Sequence, residues 1–97
     1  MNKIITILEA RVSRQKWDVL KKAYRDLKGK KLPIMPLQSF LLQMKKDQEL
    51  WQIITIWESM EILEKMRNSG KTPPGIFVFH EADAEPVLSI FEAREEM

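Results

Sequence analysis

The chain has 97 residues, of which 44% are hydrophobic and 31% charged, and it contains no cysteine. This length predicts one domain over residues 1–97, and the lack of cysteine excludes disulfide and thiolate chemistry. A formal net charge of +2 is too small to indicate nucleic-acid binding, and no apolar run approaches the roughly 20 residues of a membrane-spanning helix. We therefore expect a cytoplasmic protein without nucleic-acid or membrane partners.

The first third of the chain predicts a strand followed by a helix. Residues 3–12 are rich in β-branched and aliphatic side chains, which favours a strand. Ser13 is in position to cap a helix over residues 14–27, and Gly29 is in position to end it. One apolar stripe of that helix consists of Trp17, Leu20, Ala23, Tyr24 and Leu27.

The rest of the chain predicts a hairpin, a second helix and a last strand. Residues 38–45 and 50–57 are typical of two strands joined by a short polar turn. A helix capped by Ser59 follows and ends at Gly70. Residues 71–86 are ambiguous between a short strand and a helical turn opened by proline, and we favour short helical or irregular structure. Residues 87–94 predict a fourth strand. This order is typical of a ferredoxin-like α+β fold, an antiparallel sheet with helices on one face.

The predicted strands are apolar on both of their faces. In the third strand, Trp51 and Trp57 lie on one face, whereas Ile54 and Ile56 lie on the other. Two helices cover only one face, and the other would expose a larger apolar patch than monomers usually carry. We therefore predict a homodimer whose sheets pack face to face. The alternative is a monomer in which residues 71–86 fold over the second face.

The run IITIWESMEILEKMRNSG (residues 53–70) and the closing run PVLSIFEA (residues 86–93) resemble the antibiotic-biosynthesis-monooxygenase-like family. The resemblance extends over nearly the whole chain. It implies a dimeric α+β barrel and a small cofactor-independent monooxygenase that acts on an aromatic or quinol-like molecule. The alternative function is a non-catalytic dimer that binds a small ligand or another protein.

Haem degradation, another activity found in this family, matches the sequence less well. The resemblance places that branch's asparagine, tryptophan and histidine at positions where this chain has Ala10, Met66 and Ile76. His80 lies four residues beyond the histidine position. The residues therefore favour the monooxygenase hypothesis over haem degradation.

Four residues are the candidates for a site in such an enzyme. His80, the only histidine, is predicted to be catalytic, as a general base that takes a phenolic proton. Trp57, Phe77 and Tyr24 are predicted to line an apolar pocket between sheet and helices and to bind an aromatic ring. The alternatives are a surface histidine and aromatic residues that serve only in packing. No metal site is predicted, because one histidine without a second is a weak set of ligands. The resemblance implies that no cofactor is bound.

The most basic stretch of the chain consists of Lys21, Lys22, Arg25, Lys28, Lys30 and Lys31. We interpret it as a solvated helix face and loop. The alternative is a surface that attracts an anionic ligand or nucleic acid. The stretch lacks the interleaved exposed aromatic side chains on which proteins stack single-stranded nucleic acids.

Overall fold

The computed structural model describes residues 2–30, 34–70 and 72–97, which form one four-stranded sheet and three α-helices. The strands are β1 (Ile4–Arg11), β2 (Gln38–Gln43), β3 (Leu50–Trp57) and β4 (Val87–Glu92). The helices are α1 (Trp17–Lys28), α2 (Met60–Arg67) and α3 (Pro74–Glu81). Lys31 of the basic stretch, part of the predicted loop after α1, and Lys71 of the ambiguous segment lie outside the described residues.

The described strands form an antiparallel sheet in the order β2-β3-β1-β4. The central pair runs from Ile4 opposite Trp57 to Arg11 opposite Leu50. The structure has two clusters of buried apolar side chains, and both lie between one face of this sheet and the helices. The predicted ferredoxin-like α+β fold, with an antiparallel sheet and helices on one face, is therefore confirmed.

The two serines predicted to cap helices behave differently. Ser59 caps α2, because its Oγ accepts a hydrogen bond of 3.3 Å from the backbone N–H of Ile62. Ser13 makes no side-chain cap, and its carbonyl oxygen instead accepts from the N–H of Lys16 at 2.8 Å. This bond forms a short turn of 3-10 helix, and α1 begins only at Trp17, so the predicted cap at Ser13 is wrong. No helix in the described ranges has both the length and the apolar character needed to span a membrane.

The ambiguous segment after α2 contains α3, in agreement with the prediction of short helical structure. Pro74 occupies its first turn, where the fixed φ of proline suits a helix. Val78 and Phe79 are fully buried and pack in one cluster with Leu20 of α1. A Cβ atom on Gly75 would lie 2.7 Å from Leu8 Cδ1, so glycine allows the first turn of α3 to approach the sheet closely.

These contacts place α3 on the same side of the sheet as α1. Leu8 and the fully buried Val78 belong to the same core cluster. The alternative in which residues 71–86 cover the second face is therefore wrong for the described residues 72–86.

The second face of the sheet is largely apolar, with Glu9 and Gln52 among its few polar residues, and no helix of the described chain covers it. We call it the open face, and its large apolar side chains are Ile5, Ile7, Phe40, Leu42, Ile54, Ile56, Val87 and Phe91. The edge strands are the most accessible, with 42% exposure at Phe40 and 53% at Phe91. The prediction of a sheet that is apolar on both faces is confirmed.

Candidate functional site

A cavity of about 730 Å³ lies between the helix side of the sheet and the helices. Strands β1, β2 and β3 with Leu88 of β4 line its floor, and α1, α2, the first turn of α3 and residues 34–37 before β2 line its walls. Most of the lining is apolar, including Leu8, Leu27, Ile53 and Leu63. A cavity of this size and character suits a small apolar organic molecule.

Three hydroxyl side chains form a row across the floor of the cavity, which we call the hydroxyl row. The sheet register places Ser39 of β2 opposite Thr55 of β3, and Thr55 opposite Thr6 of β1. All three side chains line the cavity. The Ser39 Oγ and Thr55 Oγ1 atoms are 3.4 Å apart, close enough to share a hydrogen bond. The row is the main polar feature of a largely apolar floor.

Trp57 forms one wall of the cavity. As the last residue of β3 it points to the helix side, where it is 6% exposed and packs with Ile4 and Leu63. Its indole Nε1 donates a hydrogen bond of 3.0 Å to Thr6 Oγ1. Because Thr6 accepts this bond, its own hydroxyl proton is left for another acceptor.

Tyr24 contributes a second aromatic ring to the cavity. It lies on the inner stripe of α1 and is half-buried. Its hydroxyl donates to Ser39 Oγ at 2.8 Å, so the polar end of the ring is attached to the hydroxyl row. The Lys28 Nζ atom lies 5.7 Å from the centre of the same ring. Trp57 and Tyr24, both predicted as pocket residues, therefore share one cavity.

The structure places His80 and Phe77 outside this cavity. His80 is exposed near the end of α3, and its Nε2 atom lies 2.9 Å from Glu85 Oε2. Phe77 is 44% exposed and lies in a shallow groove between α1 and α3. The inner side of α3 is taken by Val78 and Phe79, so residues 77 and 80, one turn apart, share the outer side. The position of His80 matches the alternative of a surface histidine.

The hydroxyl row is a feature that the sequence prediction missed. Thr6, Ser39 and Thr55 each occupy an inward position in an apolar strand, and a buried hydroxyl needs a hydrogen-bond partner. Each of these hydroxyl residues can therefore be recognised in the sequence as an inward polar side chain that needs a partner. The alignment of the three residues depends on the register between strands, and the sequence of a single strand does not determine that register.

The charged side chains at the cavity are cationic. Lys28 at the end of α1 and Arg67 at the end of α2 are exposed and line it. Among the described lining residues there is no aspartate, glutamate or histidine. The described parts of the chain also contain no group of three or more such residues or cysteines arranged to hold a metal ion.

Several solved structures share this fold over nearly the whole chain. A protein from Deinococcus radiodurans, classed as an antibiotic biosynthesis monooxygenase, matches with a TM-score of 0.76 and 10% identity, covering 97% of this chain and 95% of its own. A protein of the same class from Caulobacter crescentus matches with a TM-score of 0.72 and 20% identity, covering 97% and 92%. SnoaB, a cofactor-independent oxygenase from Streptomyces nogalater, matches with a TM-score of 0.66 and 10% identity, covering 100% and 98%.

These likenesses establish the fold of the chain. No family model matches the sequence, and no curated protein sequence matches it either. At identities of 20% and below, structural similarity does not carry substrate or mechanism from one protein to another. The resemblance to antibiotic biosynthesis monooxygenases that residues 53–70 indicate is confirmed at the level of the fold.

Proposed function

We propose that this chain, which has the fold of antibiotic biosynthesis monooxygenases, is a small oxygenase that binds an aromatic or quinol-like molecule in the cavity. One observation carries the proposal: an apolar cavity of about 730 Å³ with two aromatic rings, Trp57 and Tyr24, and a hydroxyl row on its floor. Apolar walls with a few convergent polar groups bind an apolar molecule in a defined orientation. The fold of SnoaB, a cofactor-independent oxygenase, supports the same chemistry.

The proposed reaction takes its electrons from the substrate. A quinol or similarly electron-rich ring loses a proton, and the anion transfers electrons to dioxygen. One oxygen atom replaces two hydrogen atoms of the substrate, and the other oxygen leaves with those hydrogens as water. Atoms and electrons then balance without a further reductant. The protein has to bind the ring, exclude water and stabilise the anion.

The hydroxyl row is the part of the cavity that suits an oxyanion. Thr6 has a proton to donate, and the Ser39–Thr55 pair uses one of its two protons internally and leaves the other. A hydrogen bond to a charged acceptor contributes about 1.5–3 kcal/mol, roughly twice the value for a neutral pair. We assign anion stabilisation to this row and ring binding to Trp57 and Tyr24.

His80 and Phe77 have no role in this proposal. Neither residue lines the cavity, and the imidazole of His80 is paired with Glu85 on the surface. Since the described lining contains no histidine and no carboxylate, the substrate's own acidity has to supply the anion that the hydroxyl row stabilises.

Oxygen consumption with a panel of naphthalene quinols and anthrones tests the proposed function. We expect uptake above the spontaneous rate and a product that has gained one oxygen atom and lost two hydrogen atoms. A melting temperature that rises with these compounds, while oxygen uptake stays at the spontaneous rate, would instead indicate a binding protein.

The substitution Tyr24→Phe tests the contact between the ligand and the hydroxyl row. Removal of the phenolic oxygen eliminates the bond to Ser39 and one polar group of the cavity. The Ser39 hydroxyl then lacks the donor that polarises it and bonds an oxygen of the ligand less strongly. We therefore expect the Kd for naphthol, measured by isothermal titration calorimetry, to rise about 3–10-fold.

His80→Ala is the control for this measurement. We expect this variant to bind naphthol as the wild type does, because His80 lies outside the cavity. An equal loss of affinity in both variants, or a loss in His80→Ala alone, would overturn the assignment of the site.

We also infer that the protein is a homodimer in which the open faces of two copies pack together. The open face has large apolar side chains from all four strands of the described sheet. Burial of each such side chain contributes about 1.5–3 kcal/mol, and twisted sheets pack well face to face. A two-fold axis gives both copies the same contacts, so the face can cover itself.

A further inference from the structure

The rim of the cavity has two positively charged side chains from different helices. Lys28 is the last residue of α1 and Arg67 is the last residue of α2, and both line the cavity. No carboxylate lines it in the part of the chain that the structure describes. These exposed cations therefore favour a negative charge on the ligand, an effect that salt screens.

Both cations are available to a ligand. Within the described residues, neither Lys28 nor Arg67 forms an ion pair with a carboxylate. Lys22, on the same helix as Lys28, is instead paired with Asp26 at 3.0 Å. The Lys28 Nζ atom lies 5.7 Å from the centre of the Tyr24 ring, so its charge lies beside the aromatic lining.

Stabilisation of helix ends does not explain why these particular residues line the cavity. Basic side chains in the last turn offset the partial negative charge of a helix C-terminus, and Arg25 of α1 and Lys65 of α2 also occupy last turns. Neither Arg25 nor Lys65 lines the cavity. The two pairs therefore have the same charge on the same helices but different positions relative to the cavity.

We propose that the ligand of the cavity is an aromatic acid, a ring system with one anionic substituent that lies at the rim beside Lys28 and Arg67. The rings pack against Trp57 and Tyr24, and a ring oxygen reaches the hydroxyl row. The proposal rests on the proposed function for the location of the site, and it narrows the substrate class. In the sequence, Lys28 is interpreted as part of a solvated helix face. This proposal instead supports the alternative for Lys28, a surface that attracts an anionic ligand.

Two fluorescent probes that share one ring system test this proposal. Anilinonaphthalene sulfonate is anionic, and its parent N-phenylnaphthylamine has no charge. We expect Lys28→Gln/Arg67→Gln to bind the sulfonate about tenfold more weakly at low ionic strength, as is appropriate for two exposed charge contacts. Its affinity for the uncharged probe should stay within about twofold of the wild type, because apolar contacts dominate there.

Arg25→Gln/Lys65→Gln is the matched control, since it removes two positive charges from the same helices. We expect it to bind both probes as the wild type does, with one site per chain for which the probes compete. Equal losses of sulfonate affinity in the two double variants would assign the effect to overall charge and overturn the proposal. An unchanged sulfonate affinity in Lys28→Gln/Arg67→Gln would overturn it as well.

The outcome is separable from that of the proposed function, because probe binding does not require turnover. If the rim selected for charge but no substrate caused oxygen uptake, the oxygenase proposal would be wrong and the aromatic-acid site would still be supported. If the uncharged probe did not bind the wild type, the cavity would not be a ligand site, and both proposals would fail.

Discussion

We expect Ile54→Lys to leave the protein monomeric at concentrations at which the wild type is a dimer. Ile54 lies in the middle of the open face, opposite Ile7 on one side and Phe40 on the other. In a symmetric dimer the substitution inserts two ammonium groups into the apolar interface, at several kcal/mol each. The dimer Kd should therefore rise at least about 1,000-fold, as measured by sedimentation velocity over a concentration series.

Val19→Lys is the matched control for this experiment. Val19 is 39% exposed on α1, on the other side of the sheet from the open face. We expect this variant to dimerise as the wild type does. A wild type that is monomeric at micromolar concentration, or an Ile54→Lys protein that remains dimeric, would contradict packing through the open face.

The largest loss of stability is expected for Phe79→Ala. Phe79 is completely buried in the cluster that joins α3 to α1, and removal of its ring leaves a cavity there. Large-to-small changes of this kind cost about 3–5 kcal/mol, a substantial part of the stability of a small domain. The free energy of unfolding in urea measures this loss.

Phe77→Ala, two residues earlier in the same helix, is the internal comparison. The Phe77 side chain is 44% exposed, so we expect its removal to lower the free energy of unfolding by less than about 1 kcal/mol. Similar losses in the two variants, or a larger loss at Phe77, would mean that α3 has a different rotation about its axis. The result would then reopen a role for Phe77 and His80 in the cavity.

The strands and their two faces are predictable because alternation is visible within each strand. Trp51 and Trp57 point to the helix side and Ile54 and Ile56 to the open face, as alternation alone predicts. Alternation does not indicate which face of the sheet the helices pack against, because both faces are apolar. That choice is decided by the packing of helices whose positions depend on the whole chain.

The orientation of α3 is not predictable from the sequence. Residues 76–79 are Ile, Phe, Val and Phe in succession, so no apolar stripe distinguishes an inner from an outer side. The structure buries Val78 and Phe79 completely and leaves Phe77 exposed. Phe77 is consequently predicted at the pocket but lies in the groove on the outer side of the helix.

The candidate site is predictable where side-chain direction follows from a clear period. Trp57 has an inward position in an alternating strand, Tyr24 belongs to a helical stripe, and both line the cavity. His80 is predicted as a site residue because an imidazole can act as a base. That property does not indicate where its side chain points. The hydroxyl row depends on the register of three strands, which arises only when the sheet forms.

The cavity as the ligand site is tested most directly by the indole N–H signals of the three tryptophans in a nuclear magnetic resonance titration with naphthol. Trp57 lines the cavity, whereas Trp17 and Trp51 pack against each other in the core, with ring centres 5.9 Å apart, and do not line it. The Trp57→Phe variant identifies the Trp57 signal. We predict that this signal shifts until saturation while the other two stay in place. A stationary Trp57 signal, or shifts confined to Trp17 and Trp51, would contradict a ligand site between the sheet and the helices.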